Sequence, residues 1–294
     1  MTKTVTLSRL PSALATYPKA AGDMLPVIGK PARIAADAQL PDTAYTVSDV
    51  RVDLGELQEY CRATGLPYGS TLPLTYLFVL HFPMAMATMT ARDFPFGPVG
   101  GVHAENVIER FREIGSTEPL TITTRAQNLR EHRKGMLVDV VSEFSVGREP
   151  VARQTSTFLK QQRTSLSGEQ RGPAPRAATP PPPDRVLSVD LPQIRRYAAA
   201  SGDRNPIHMT NLTAKAFGFD RAIAHGMWSA AAALANLDGS LPGAVTYRVR
   251  FGKPILLPAK VNLYTRPLAD GGYEVSILNR KKGYPHLTGT VVPD

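Results

Sequence analysis

Apolar residues recur at helical spacing in two places along the chain, and the two places spell nearly the same word. Val52-Asp53-Leu54 leads to Leu57, Tyr60, Ala63 and Gly65, while Val189-Asp190-Leu191 leads to Ile194, Tyr197, Ala200 and Gly202. The copies lie 137 positions apart. In each, the Asp is placed to cap a helix start, the apolar residues make one buried face, and the glycine supplies the stop. A second echo, Arg110-Phe111-x-Glu113-Ile114 against Arg250-Phe251-x-Lys253-x-Ile255, returns at 140 positions. Two echoes at nearly one offset argue for a duplicated module.

Beyond the second repeated helix, Met227 to Leu237 is Ala-rich and apolar on nearly every face, which predicts a helix buried all round. Four strands follow, Val245 to Phe251, Val261 to Arg266, Tyr273 to Leu278 and His286 to Val292, joined by turns containing Gly and Pro. The first copy reads differently at the matching place. Pro83 interrupts Tyr76 to Met89, and Pro95, Gly97, Pro98, Gly100 and Gly101 follow. A proline inside a helix costs ~3 kcal/mol but is tolerated in its first turn. The expectation is therefore a short helix starting near Pro83, then a loop. Thr179 to Pro183, ending in four prolines before Asp184, makes an extended tether rather than a core element. The chain thus divides into an arm (1–45), a first module (46–160), a Pro-rich linker (161–184) and a second module (185–294).

Composition narrows the class. The 294 residues suffice for two domains that each bury a core, and 43% hydrophobic with 20% charged residues describes a soluble globular chain. The single Cys61 rules out an internal disulfide and fits a reducing cytoplasm. The amino terminus has no apolar signal region, and no apolar run is long enough to span a bilayer, so neither secretion nor membrane insertion is expected. A net charge of +9 calls for anionic partners. Nucleic acid is disfavoured, because the basic residues are scattered without interleaved aromatics. A phosphorylated small molecule or an acidic protein surface would use the same field.

The chemistry concentrates in Ser201-Gly202-Asp203-Arg204-Asn205-Pro206-Ile207-His208 and in Ile223-Ala224-His225-Gly226-Met227. The residue before a proline is pushed out of the α region, so the Asn-Pro step forces a bend. A bend can bring the Asp203 carboxylate and the His208 imidazole to one small site, a common arrangement for acid/base work near neutral pH. At the repeat offset the first copy has Leu66 and Thr71 in their places. Only the second copy can run this chemistry. Gly226 opens the buried helix, where unsatisfied N–H groups and the helix dipole favour negative charge. An N–H there can stabilise an oxygen that gains negative charge during a reaction. Asn205 is explained by its turn but can also orient the pair. His225 is either a supporting side chain or a helix-entry histidine. A metal held by Asp203, His208 and His225 is disfavoured, since the short ligand word of a zinc site is missing.

Tyr197, Ser201, Gly202, Asp203, Asn205, Pro206, Ile207, His208 and Ala214 fall in the order of the hydratase 2 signature of MaoC-like dehydratases, which the stretch resembles. Gly218-Phe219 and the Ile223 to Met227 word add to the likeness; Ala200 and Thr210 depart from it without touching the proposed chemistry. Over its whole length the chain is similar to two-module (3R)-hydroxyacyl-thioester dehydratases and, more distantly, to the hydratase 2 part of peroxisomal multifunctional enzymes. The resemblance implies an α+β double hotdog, two modules each wrapping an antiparallel sheet round a helix and packed as a pseudo-dimer. It implies reversible dehydration of (3R)-hydroxyacyl thioesters, carried by coenzyme A or by a carrier protein, to trans-2-enoyl thioesters. No metal or redox cofactor is called for. Which of Asp203 and His208 is acid and which is base stays open, as does assembly into a homo-oligomer.

His103 and Glu105, in Val102-His103-Ala104-Glu105-Asn106, resemble a His-small-Glu-amide word of the peroxisomal hydratases, which would bring them to the site. Shortening of the first-copy helix would leave apolar room lined by Leu77, Phe78, Met84, Met86 and Met89, suited to an acyl tail. Two rivals stand. A hotdog acyl thioesterase would place a carboxylate on the buried helix, where this chain has none. A non-catalytic acyl- or nucleic-acid-binding protein is favoured by charge alone.

Overall fold

The computed structural model describes residues 3–12, 33–35, 37–98, 100–168, 181–237, 241–269 and 271–294. In chain order its elements are β1 (Lys3–Leu7), β2 (Thr43–Val50), α1 (Leu54–Thr64), α2 (Tyr76–Thr90), β3 (Gly101–Arg110), β4 (Leu120–His132), β5 (Gly135–Val146), β6 (Glu149–Gln161), β7 (Arg185–Val189), α3 (Leu191–Ser201), α4 (Pro206–Met209), α5 (Asn211–Ala216), α6 (Gly226–Leu234), β8 (Val245–Phe251), β9 (Ala259–Pro267), β10 (Tyr273–Asn279) and β11 (Pro285–Pro293). Contacts group them into two units. The first is Met1–Arg51, Phe78–Asn106 and Glu118–Arg171; the second is Val52–Leu77, Val107–Thr117 and Gly172–Asp294. The central part of the linker, 169–180, and residues 13–32 of the arm lie outside the described residues.

In the first unit the strands run in the order β1-β2-β4-β5-β6-β3. β1 pairs with β2 in parallel, and β2–β4, β4–β5 and β5–β6 are antiparallel. Helix α2 seats on this sheet through buried contacts, among them His81 Nδ1 at 2.7 Å from the Ser142 hydroxyl of β5. The helix runs through Pro83 instead of starting at it, which corrects the expectation of a short helix. The balance explains why. The missing N–H and ring clash cost ~3 kcal/mol, whereas each large apolar side chain buried from the same helix contributes ~1.5–3 kcal/mol. Phe78, Leu80, Phe82, Met84, Met86 and Met89 are all buried.

The second unit carries strands in the order β8-β11-β10-β9-β7, every pair antiparallel, with the last residues of β3 beyond β8. Helix α6 lies against this sheet. Every residue from Met227 to Leu234 is buried, and the Tyr247 hydroxyl of β8 donates to the Ala230 carbonyl at 3.0 Å. Four consecutive alanines let helix and strands approach closely. The α-helix ends at Leu234 and a 3₁₀ turn, Ala235–Leu237, completes the expected length. A sheet with one buried helix in each unit is the hotdog arrangement, and the class is α+β.

The duplicated words become α1 and α3, each of 11 residues. Asp53 accepts from the Gly55 and Glu56 N–H groups, and Asp190 from Gln193, so both are N-caps. Gly65 and Gly202 end the helices at φ of 81° and 72°, a left-handed conformation that glycine adopts without strain. Both helices belong to the second unit, where the Tyr60 and Tyr197 rings lie 5.8 Å apart. The Trp228 indole of α6 donates to the Ala63 carbonyl at 2.9 Å, which ties α1 to the buried helix. Among the described residues no helix is long and apolar enough to cross a membrane.

Candidate active site

Gly202 turns the chain out of α3, and the next residues fold onto themselves. The Asp203 N–H donates to Ser201 Oγ at 3.3 Å, and the Asn205 N–H donates to Asp203 Oδ1 at 3.2 Å. Asn205 Oδ1 then caps the single turn of α4 by accepting from the Ile207 N–H. The bend expected from Asn-Pro is therefore built by one carboxylate and one amide oxygen, each accepting from the N–H two residues on. It leaves the Asp203 side chain 16% exposed and buries His208 almost fully.

His208 is held in one tautomer. Its Nδ1 lies 2.8 Å from the Ile223 carbonyl oxygen, which can only accept, so Nδ1 carries the proton and Nε2 presents a lone pair. The Ile223 N–H in turn donates to the Ile207 carbonyl, locking the two segments together. His225 is fixed in the opposite sense. Its Nε2 donates to the Asp203 backbone carbonyl at 2.9 Å and lies 3.9 Å from Asp203 Oδ2, leaving Nδ1 buried without a hydrogen-bond partner among the described residues. The two imidazoles stack with centroids 3.6 Å apart and 29° between planes, and the Tyr197 ring lies tilted against His225 at 4.9 Å.

Burial decides the charge state. It pushes His208 from 6.5 down to about 3, helped by the neighbouring His225 and opposed by the Asp203 carboxylate. His225 is lowered as well, chiefly by burial and against Asp203. Near neutral pH both rings are uncharged.

Gly226 opens α6, so its N–H has no intrahelical acceptor. A Cβ there would lie 2.9 Å from the Phe251 ring, at the end of β8, so any larger residue would have to displace that ring. The donor atoms of Asp203, His208 and His225 lie within 4.8 Å of one another. They fit a metal poorly. With Nδ1 of His208 and Nε2 of His225 engaged, each ring has one in-plane lone pair left, and stacked rings direct these along near-parallel planes rather than to a common tetrahedral centre. The arrangement suits proton transfer instead.

The structure brings Asp203, Asn205, His208, His225 and Gly226 together in the second unit. His103 and Glu105 lie on β3 within the first unit, where the His103 ring stacks between Phe78 at 5.5 Å and Phe158 at 4.9 Å. Phe78, Met84, Met86 and Met89 are buried on α2 in the first unit; Leu77, also buried, groups with the second. Two contributors escaped the sequence reading. The Ile223 carbonyl sets the His208 tautomer, and a backbone atom leaves no trace in residue types. Phe251 had a signal, since its Arg-Phe word repeats, but nothing tied it to Gly226.

A family profile described as MaoC-like domain matches residues 174–275. The chain is 47% identical over 281 residues to the Mycobacterium tuberculosis protein named 3-hydroxyacyl-thioester dehydratase X, covering 96% of this chain and 98% of that one. A crystal structure of HtdX from Mycobacterium tuberculosis superimposes with a TM-score of 0.76 at 45% identity, over 85% of this chain and 100% of that one. A MaoC-like dehydratase from Phytophthora capsici superimposes with a TM-score of 0.68, over 85% of this chain and 94% of that one; at 22% identity it speaks for the fold alone.

Proposed function

The chain belongs to the family of MaoC-like dehydratases, and on that premise we propose that it reversibly dehydrates (3R)-hydroxyacyl thioesters to trans-2-enoyl thioesters in fatty-acid metabolism. The observation that carries the reading is the neutral His208, its Nε2 lone pair held beside the Asp203 carboxylate at the opening of α6. A proton inventory then assigns the roles. His208 Nε2 takes the proton from C2, and the C–H electron pair moves onto the thioester oxygen, which the Gly226 N–H stabilises. As the enolate collapses, the C3–O bond breaks and the imidazolium returns its proton to the leaving hydroxyl, which departs as water. Asp203 holds that hydroxyl by accepting its hydrogen and stabilises the transient imidazolium. Proton and hydroxyl leave from the same face. No other acid is needed, and His225 acts by positioning: its Nε2–H holds the Asp203 main chain and its ring supports His208.

Because α2 runs through Pro83, no room is left by a shortened helix; we place the acyl tail against Leu77, Phe78, Met84, Met86 and Met89 on their apolar, adaptable chemistry alone, with His103 and Glu105 supporting it, and the protein works in the cytoplasm. A thioesterase reading is disfavoured because α6, Gly226–Leu234, carries no carboxylate to attack or to activate water. The test is direct. Adding the protein to a trans-2-enoyl thioester should remove the conjugated absorbance with no release of free thiol. Thiol release would point to the thioesterase, and no change in either to a binding protein.

A further inference from the structure

His81 is wholly buried on α2, and the proton transfers above do not use it. Its Nδ1 lies 2.7 Å from Ser142 Oγ on β5, which lies 2.5 Å from Thr124 Oγ1 on β4. Among the described residues these three side chains, all 0% exposed, make no other hydrogen bond. The protons can be counted. Burial keeps the ring uncharged near neutral pH, so it carries one N–H. With that proton on Nδ1, Ser142 must donate to Thr124, which leaves both the Thr124 hydroxyl hydrogen and Nε2 unpaired. With it on Nε2, Thr124 donates to Ser142 and Ser142 to Nδ1, and a single N–H is left over. The second arrangement pairs more of the buried groups. His81 Nε2 is thus a donor inside the first unit with no acceptor among the described residues.

A buried donor without an acceptor costs ~1–3 kcal/mol, so a group that accepts belongs there. A water would need about 2–4 polar partners of its own. This side of α2 is walled by rings instead. Phe78 lies 6.0 Å from His81, Phe82 and His103 lie 5.7 and 5.5 Å from Phe78, and Phe158 lies 4.9 Å from His103. Such walls suit a carbon chain that brings one oxygen with it. Phe78, His81 and Met84 follow at three-residue spacing and share a face of α2, so His81 stands among the residues proposed to bear the acyl tail.

We infer that His81 sets acyl-chain specificity: its Nε2–H donates to an ether, keto or hydroxyl oxygen carried partway along the tail. The inference rests on the placement of the tail against α2. An all-carbon chain leaves the N–H unpaired, whereas a chain with its oxygen at the right distance from the thioester satisfies it.

An ether oxygen accepts but cannot donate, and it is close to a methylene in size. In a series of trans-2-enoyl thioesters of one length, each methylene beyond the reacting carbons is replaced in turn by oxygen. Relative to the all-carbon chain, kcat/KM should rise at one position by at least about tenfold, the scale of pairing a buried donor. That maximum should vanish in His81→Phe, which keeps a ring and removes the N–H. Binding is followed separately by NMR of wild type carrying isotope-labelled histidine, with saturated N-acetylcysteamine thioesters that have no double bond to hydrate. One ether chain of the series should move the His81 Nε2–H signal downfield, and the all-carbon chain should not. This readout holds whether or not the protein turns over any thioester, and whether or not His81→Phe folds. A flat kinetic scan, or a signal unmoved by every ether chain, would overturn the inference. So would a maximum that persists in folded His81→Phe.

Discussion

His225 lies flat on His208, ring centroids 3.6 Å apart, while its Nε2 holds the main-chain carbonyl of Asp203 at 2.9 Å. One buried side chain thus supports both groups of the proposed proton-transfer pair. His225→Phe keeps a ring on His208 and removes the donor. Leaving the Asp203 carbonyl unsatisfied should cost ~1–3 kcal/mol in urea unfolding. In kinetics kcat should fall while KM changes little. Wild-type stability and kcat in this variant would reduce His225 to packing.

The buried histidines also set a pH dependence. Burial lowers His208 and His81 from 6.5 to about 3, and lowers His225 and His286 too. A group depressed in the folded state binds its proton first in the unfolded chain. Folding stability is therefore full above pH 6.5 and is lost as pH falls from there towards 3. Urea midpoints at pH 7 and pH 5 should differ, and His81→Gln should shrink the difference. The acid limb of kcat/KM should lie well below 6.5, because His208 reacts in its neutral form. A limb centred on 6.5 would contradict that.

Gly226 separates space from chemistry. Gly226→Ala puts a Cβ 2.9 Å from Phe251 and should lower kcat at least ~10-fold by displacing the N–H from the thioester oxygen. Alanine keeps that N–H. Adding Phe251→Leu makes room and should recover most of the turnover. If the double variant stays as slow as Gly226→Ala alone, the helix opening does not act through this amide.

Much of this was legible in the residues. The two repeated words became equal helices with the expected Asp caps and Gly stops, because local capping and spacing are written in residue types. The Asn-Pro turn brings Asp203 and His208 round, whereas the segment carrying Gly226 is held to them by Ile223 and His225. What stayed hidden depends on tertiary context. Pro83 reads as a helix start, yet burial of its neighbours carries α2 through it. The His208 tautomer hangs on the Ile223 carbonyl, which any residue would supply.

The apolar residues of α2 carry a prediction about chain length. Met side chains adapt to irregular apolar ligands, and each buried methylene contributes ~0.8 kcal/mol. On enoyl thioesters of graded length, kcat/KM should rise from C4 to at least C8. Met86→Trp should lower C12 turnover more than C4. A preference for C4, with C12 turnover unchanged by Met86→Trp, would remove α2 from the acyl site.

The central claim is that Asp203 and His208 move one proton between C2 and the leaving hydroxyl. Single-turnover and steady-state rates of enoyl thioester hydration by Asp203→Asn and His208→Gln, with circular dichroism spectra matching wild type, test it most directly. Each variant should lose at least ~10²-fold in kcat, the usual contribution of a positioned acid or base. Leu66 and Thr71 variants, altered at the corresponding positions of the first copy, should keep turning over. A folded Asp203→Asn or His208→Gln protein with near-normal kcat would contradict the mechanism.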